Sequence, residues 1–364
     1  MEHKQKVEKK HTKKHTKRKT ILLVTACLFG AFFLVLMPAM TVLVYQDNFG
    51  SRFETADWTA YSVNEFNGLQ VKECTFPSNR GQLLAGYHYA KENQEVKGVL
   101  VIAHGFGGGG HNTYMDIADY FTSNGYLVFA YDATGNDKSE GKSVEGLPQG
   151  VIDLDFALRY VKQSEEYRGL PIVLFGHSWG GYCAGSVLNC HPDIKAAVLV
   201  AGFDRSTDLF EQQGASMIGS GIKLFMPYVS LYERIKFGEY AAYSASGGFA
   251  GSAAGIMVLH SKDDTMVLPE NGYEKFYGKY HDDPRFLFME YEDRGHNDIY
   301  YSEASRHYKE QINESYTSYL ETNGLENTPE IKAEFMKKNR DKSKCYEFDE
   351  QLMRRILEFY DTYL

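Results

Sequence analysis

Cysteine is scarce in this chain of 364 residues, with five in all and one of them, Cys27, inside a long apolar run. That count excludes a disulfide-dense scaffold. No Cys/His spacing resembles a zinc site, so neither a metal nor a cofactor is expected. Cys183 and Cys190 lie seven apart in one expected helix, about 10 Å of rise, which is too far for a bridge. A Cys74–Cys345 pair is left open, the default being small buried hydrophobes. Internal repeats are absent, and so is low complexity beyond a basic N-terminal run. A net positive charge is also missing from the body of the chain. The net charge of −9 conceals nine Lys/Arg against Glu2 and Glu8 in residues 1–20, which leaves residues 21–364 at −16. An acidic body excludes the basic face that nucleic acid requires. A composition of 43% hydrophobic, 24% charged and 14% aromatic residues excludes disorder and collagen. It suffices for one α/β domain of roughly 250 to 300 residues plus accessory segments.

Long hydrophobic runs are present once. From Ile21 to Tyr45 there are 25 consecutive residues without a charge. As a helix they extend about 37 Å, more than a hydrocarbon core of about 30 Å. This reads as a transmembrane anchor. A cleaved signal peptide fits less well, since the run far exceeds an h-region of about 7–15 residues and Pro38-Ala39-Met40 is a poor cleavage site. Val24-Thr25-Ala26-Cys27 has a lipoprotein look, but little apolar sequence precedes Cys27 and more follows it. The Lys-rich segment 1–20 then stays cytoplasmic by the positive-inside rule, placing a connector at 46–68 and everything after it outside the cell membrane. The expected partners are the bilayer, through residues 21–45, and a small substrate. No nucleic-acid partner is expected.

Beyond residue 68, short apolar β-rich runs alternate with helical stretches. Strands are expected at Leu69–Phe76, Leu83–Tyr89, Val99–Ala103, Tyr126–Tyr131, Ile172–Phe175, Ala196–Val200, Ile256–His260 and Phe286–Tyr291. The first two alternate with polar residues and suit an antiparallel edge, while the others read as buried parallel strands. Helices fit at about 111–124, 149–167, 179–190, 269–280 and 349–363. The pattern predicts a doubly wound α/β fold with a mostly parallel eight-stranded sheet over residues 69–364. Residues 205–254 exceed a crossover helix and are rich in Phe, Met, Leu and Tyr, which predicts a small helical cap over the C-terminal edge of the sheet.

The chemistry begins after Ile172-Val173-Leu174-Phe175, where Gly176-His177-Ser178-Trp179-Gly180-Gly181 leads into a helix. A Gly-x-Ser-x-Gly between strand and helix is a nucleophile elbow, which exposes Ser178 at the top of the sheet. Serine needs a base, itself oriented by an acid, in the order Ser, Asp/Glu, His. Asp263 and Asp264 follow one strand end and His296 follows the next, giving Ser178, then one of the two aspartates, then His296. Two backbone amides must receive the oxyanion, those of Trp179 and of Phe106 in His104-Gly105-Phe106-Gly107-Gly108-Gly109-Gly110. Gly105, Gly107 and Gly110 also match a dinucleotide fingerprint with Asp132 as its acid. That reading leaves Ser178 and His296 unexplained.

At these residues the chain resembles the α/β-hydrolase family, within it the lysophospholipase, monoacylglycerol-lipase and serine-aminopeptidase-like branch. The resemblance covers about 69–300 and the last helix. It is carried by His104-Gly105-Phe106-Gly107, the elbow, the His-x-x-x-Asp-x-x-Val pattern at His260, Asp264 and Val267, and Gly295-His296. It implies Asp264 as the acid. Family members often carry Asp-x-Arg-Gly-x-Gly-x-Ser-x-Gly after the fourth strand, where Thr134 and Asp137 here replace Arg and Gly. The expectation is a membrane-anchored serine hydrolase of esters or thioesters acting through an acyl-enzyme on Ser178. A serine aminopeptidase is the alternative within enzymes, and a surface binding protein on a hydrolase scaffold the alternative outside them.

Overall fold

The computed structural model describes residues 2–92 and 95–364, with side chains from residue 17 onward; the side chains of most of the basic tail therefore lie outside the described residues. Eight strands form one sheet: β1 (Gln70–Pro77), β2 (Leu83–Ala90), β3 (Gly98–Ala103), β4 (Tyr126–Tyr131), β5 (Ile172–His177), β6 (Ala196–Val200), β7 (Gly255–Ser261) and β8 (Phe286–Tyr291). Their order is β1-β2-β4-β3-β5-β6-β7-β8. β2 runs antiparallel to both its neighbours, and the remaining pairs are parallel.

The helices are α1 (Glu2–Ala31), α2 (Met37–Phe49), α3 (Met115–Thr122), α4 (Leu147–Gln163), α5 (Trp179–Ser186), α6 (Ser206–Ile218), α7 (Met226–Phe237), α8 (Ala245–Gly251), α9 (Tyr273–Tyr280), α10 (Glu303–Asn323), α11 (Pro329–Asn339), α12 (Lys342–Cys345) and α13 (Glu350–Tyr363). Alternate residues of the central strands feed two cores, as a pleated strand buried on both faces requires. Val99 and Val101 of β3 join α4 and α5 on one face, and Leu100 and Ile102 join α3 and α13 on the other. The stretch 205–254 divides by role. α6 and α7 form the cap, while α8 packs against α5 through Ala245 and Gly185 as a crossover helix does. The expected helix over 269–280 is shorter, a 3₁₀ turn at Pro269–Asn271 preceding α9. Helices α10 to α12 occupy a stretch in which no element is expected from the residue pattern. α10 and α11 hold a satellite core of Tyr316, Phe335 and Met336 against Trp58.

Lys17–Phe49 is long and apolar enough to cross a membrane. A π segment, Phe32–Leu36, joins α1 to α2 where Pro38 has no N–H to offer the preceding turn. Met37, Thr41, Tyr45 and Phe49 form a buried stripe on α2, four residues apart and hence on one face. That stripe meets the cap. Tyr45 Oη donates to Glu233 Oε1 at 3.0 Å, and Ser206 Oγ donates to Glu233 Oε2 at 2.7 Å. Beyond Gly50 the expected connector is held along its length. Arg52 donates to the carbonyls of Asp137, Ser139 and Gly141, and Phe53 bridges Asn136.

Burial pushes the Glu233 carboxyl up to about 7 from an ordinary 4.5, against the pull of its two hydroxyl donors. A raised carboxyl favours the folded state in its protonated form. Its contribution is complete below about pH 4.5, declines as pH rises and is gone above about pH 7. The thermal midpoint of the full chain in micelles should therefore fall across that window, and Glu233→Gln should flatten this part of the slope. Equal slopes in the two proteins would remove Glu233 as the cause.

Candidate active site

Ser178 sits between β5 and α5 with φ 56° and ψ −117°, a conformation rare for a residue with a Cβ. Backbone proximity explains the flanking glycines. A Cβ on Gly176 would lie 2.1 Å from the Gly180 carbonyl oxygen, and one on Gly180 would lie 1.9 Å from that of Ala103. Gly180→Ala should cost about 3 kcal/mol or more, since neither backbone can retreat. Gly108→Ala, with nothing within 4 Å of its Cβ, should leave the unfolding midpoint unchanged. Parallel denaturation curves of the two variants test this.

The ends of β7 and β8 bring the other residues to Ser178. His296 Nε2 lies 2.8 Å from Ser178 Oγ, and His296 Nδ1 lies 2.7 Å from Asp264 Oδ2. The other Asp264 oxygen accepts the amides of Met266 at 2.9 Å and Val267 at 3.0 Å. Burial would raise the Asp264 carboxyl, but the hydrogen bond and charge of His296 outweigh it and hold the group below its ordinary range. Asp263 faces elsewhere. Its Oδ1 accepts from Ser261 Oγ at 2.6 Å and from the Gly295 amide at 2.8 Å, which fixes the His296 loop. His260 lies 3.0 Å from the Val267 carbonyl, and burial lowers its imidazole.

Trp179 is the first residue of α5, so its amide has no partner within the helix. Its indole donates to the Leu147 carbonyl at 2.8 Å. Phe106 follows β3 and packs edge-on against Trp179, Phe49 and Phe53. The glycine loop around it serves protein contacts. Asp132 is buried, accepting from the His111 amide and ring and from Tyr87 Oη. A Cβ on Gly110 would meet Asp132 Oδ1 at 1.9 Å. This acid is committed to the protein, which leaves the dinucleotide fingerprint without its ribose partner.

Two contributors escaped the sequence. The Gly105 amide donates to Tyr114 Oη at 3.0 Å, and Tyr114 lies 2.9 Å from His177 Nδ1. His177 Nε2 in turn lies 3.0 Å from the His296 carbonyl. Burial, reinforced by His296, lowers the His177 imidazole to about 3, so it is neutral, and this pattern assigns its proton to Nε2. The bridge ties the loop before Phe106 to the backbone of His296. The other contributor is Asp137, with φ 36° where the family pattern has Gly. Its carboxylate accepts from the Thr55 amide and hydroxyl, both at 2.6 Å, and from the Gly110 amide at 2.8 Å. The exchange of Gly for Asp thus links residues after α2 to the glycine loop.

A cavity of about 620 Å³ opens on Ser178 and His296, lined by Phe106, Trp179, Phe203, Phe210, Ile222 and Val229 and by residues of α2. Among the described residues no acidic side chain lines it. Away from it, Asp155, Cys190 and His191 approach within 4.8 Å of one another. Arg159 and Tyr240 already occupy the Asp155 oxygens, so the acid is not free for a metal. All five cysteines are free.

With this geometry in place, the likeness to known proteins is consistent. Residues 94–245 match the sequence model of a hydrolase family described as serine aminopeptidase, S33. The chain has the α/β-hydrolase fold. Caffeoylshikimate esterase of Arabidopsis thaliana is 31% identical over 116 residues, 31% of this chain and 35% of that protein. Human monoglyceride lipase is 32% identical over 97 residues, 26% of this chain and 31% of that protein. The matched segments thus span about a third of the length of these curated relatives. In structure, an esterase of Pyrococcus furiosus superposes with a TM-score of 0.51 at 16% identity, over 72% of this chain and 96% of that one. At that identity the likeness concerns the fold.

Proposed function

We propose that this α/β-hydrolase is a membrane-anchored serine hydrolase that cleaves a carboxylic ester or thioester, with its N-terminus cytoplasmic and its hydrolase domain outside. Ser178 Oγ attacks the acyl carbon while its proton passes to His296 Nε2. The bond to the leaving oxygen or sulfur then breaks, and that atom departs with the proton. His296 next takes a proton from water, whose oxygen attacks the acyl-serine, releasing the carboxylic acid and restoring Ser178. Asp264 orients the imidazole, and the Phe106 and Trp179 amides receive the oxyanion.

The observation that carries this reading is the hydrogen-bonded row from Ser178 Oγ through His296 to Asp264, at 2.8 and 2.7 Å, opening into an apolar chamber. The same chamber argues against an aminopeptidase. A substrate α-ammonium buried there would meet no carboxylate, and burying an unpaired charge is costly. The test is labelling by a fluorophosphonate probe, followed by p-nitrophenyl esters beside aminoacyl amides. Ester hydrolysis is expected, and cleavage of the amides alone would overturn the assignment.

A further inference from the structure

The chamber that faces Ser178 is not closed by the hydrolase domain alone. Met40, Thr41, Val44, Asn48 and Phe49 of α2 form one of its walls. These residues belong to the same continuous helix that is long and apolar enough to cross a membrane. The attachment is specific. Tyr45 is buried and hydrogen-bonded to Glu233, it stacks on Phe210 with ring centroids 5.7 Å apart, and Phe49 packs on Phe106 at 5.6 Å. The rim is apolar and open: Met40 is 41% exposed, Val44 46%, Met217 78% and Ile218 53%. Those side chains continue onto the exposed apolar face of the helix without an intervening charge. An acyl chain can pass from that face to Ser178 without exposing its apolar surface to water, the exposure that the hydrophobic effect makes costly.

We propose that the membrane helix is itself a wall of the acyl chamber, with Thr41 and Val44 setting the length of chain accepted, so that the substrate is a long-chain acyl ester drawn laterally from the bilayer that holds the enzyme. This rests on the esterase reading above and adds to it an element that lies outside the matched region 94–245. The helix then acts as both tether and specificity element, and chain length is read where α2 meets the cap.

The test uses the full chain in phosphatidylcholine nanodiscs, with Val44→Trp filling the wall and Leu43→Trp, on a side chain 70% exposed, as the control. Val44→Trp should lower the kcat/KM ratio of p-nitrophenyl dodecanoate over p-nitrophenyl acetate by about tenfold or more, an effect in the range of pocket contacts to a few methylenes. Leu43→Trp should leave the ratio unchanged. An unchanged ratio in Val44→Trp, or equal loss of both esters in a folded protein, overturns the wall. A second readout does not need turnover. A diazirine-bearing long-chain fatty acid in the same discs should label peptides containing Phe203 and Val229 in wild type, in Ser178→Ala and in Leu43→Trp, and much less in Val44→Trp. Absence of that labelling in wild type overturns the lateral route. Labelling without hydrolysis of either ester instead overturns the esterase reading and leaves the wall standing.

Discussion

Ser178→Ala should lower turnover on a reactive ester by on the order of 10⁵–10⁶ while leaving the fold intact, because the residual rate would come only from the oxyanion donors and binding. The fold is expected to survive for a local reason. The elbow is held by backbone contacts, the Ser178 amide donating to the Val200 carbonyl at 2.7 Å, and these do not need the hydroxyl. Removing Oγ also leaves His296 still bonded to Asp264. Fluorophosphonate labelling should vanish together with turnover. A variant with near-wild-type activity and an unchanged circular-dichroism spectrum would end the serine-hydrolase reading.

The second large effect separates two adjacent acids. Asp264→Asn should cost on the order of 10⁴ in turnover, because an amide at that position favours the wrong imidazole tautomer and cannot stabilise the imidazolium that forms. Asp263→Asn should cost far less. Its neighbours are the Ser261 hydroxyl and the Gly295 amide, and an Asn carbonyl still accepts from both. Measuring kcat for both variants on one ester, with folding verified, decides the matter. A collapsed rate in Asp263→Asn beside an intact rate in Asp264→Asn would move the acid by one position.

The sequence by itself determined the strands and the order of the chemistry. Runs such as Val99–Ala103 and Ala196–Val200 are apolar at every position and too short for a helix, as a strand buried on both faces is, and each becomes a central strand. Gly-x-Ser-x-Gly was legible as a five-residue pattern, although only Gly176 answers a requirement inside it, the Gly180 carbonyl, while Gly180 makes room for Ala103 of β3. Whether Asp263 or Asp264 faces His296 was not local. Both lie at the same strand end, and the choice depends on where the β8 loop brings the imidazole, which the Val267 amide and the Gly295 backbone settle together. The Tyr114–His177 bridge was hidden for the same reason, joining residues 63 apart in sequence. Helices α10 and α11 pack in a satellite core with few large apolar residues, so they left a weak pattern. The length and apolar character of Lys17–Phe49 were plain, but uniform hydropathy carries no face. Only tertiary packing distinguishes Tyr45, buried against Glu233, from Leu43 on the open side. In a helix apolar all round, the side that meets protein is chosen by its partner.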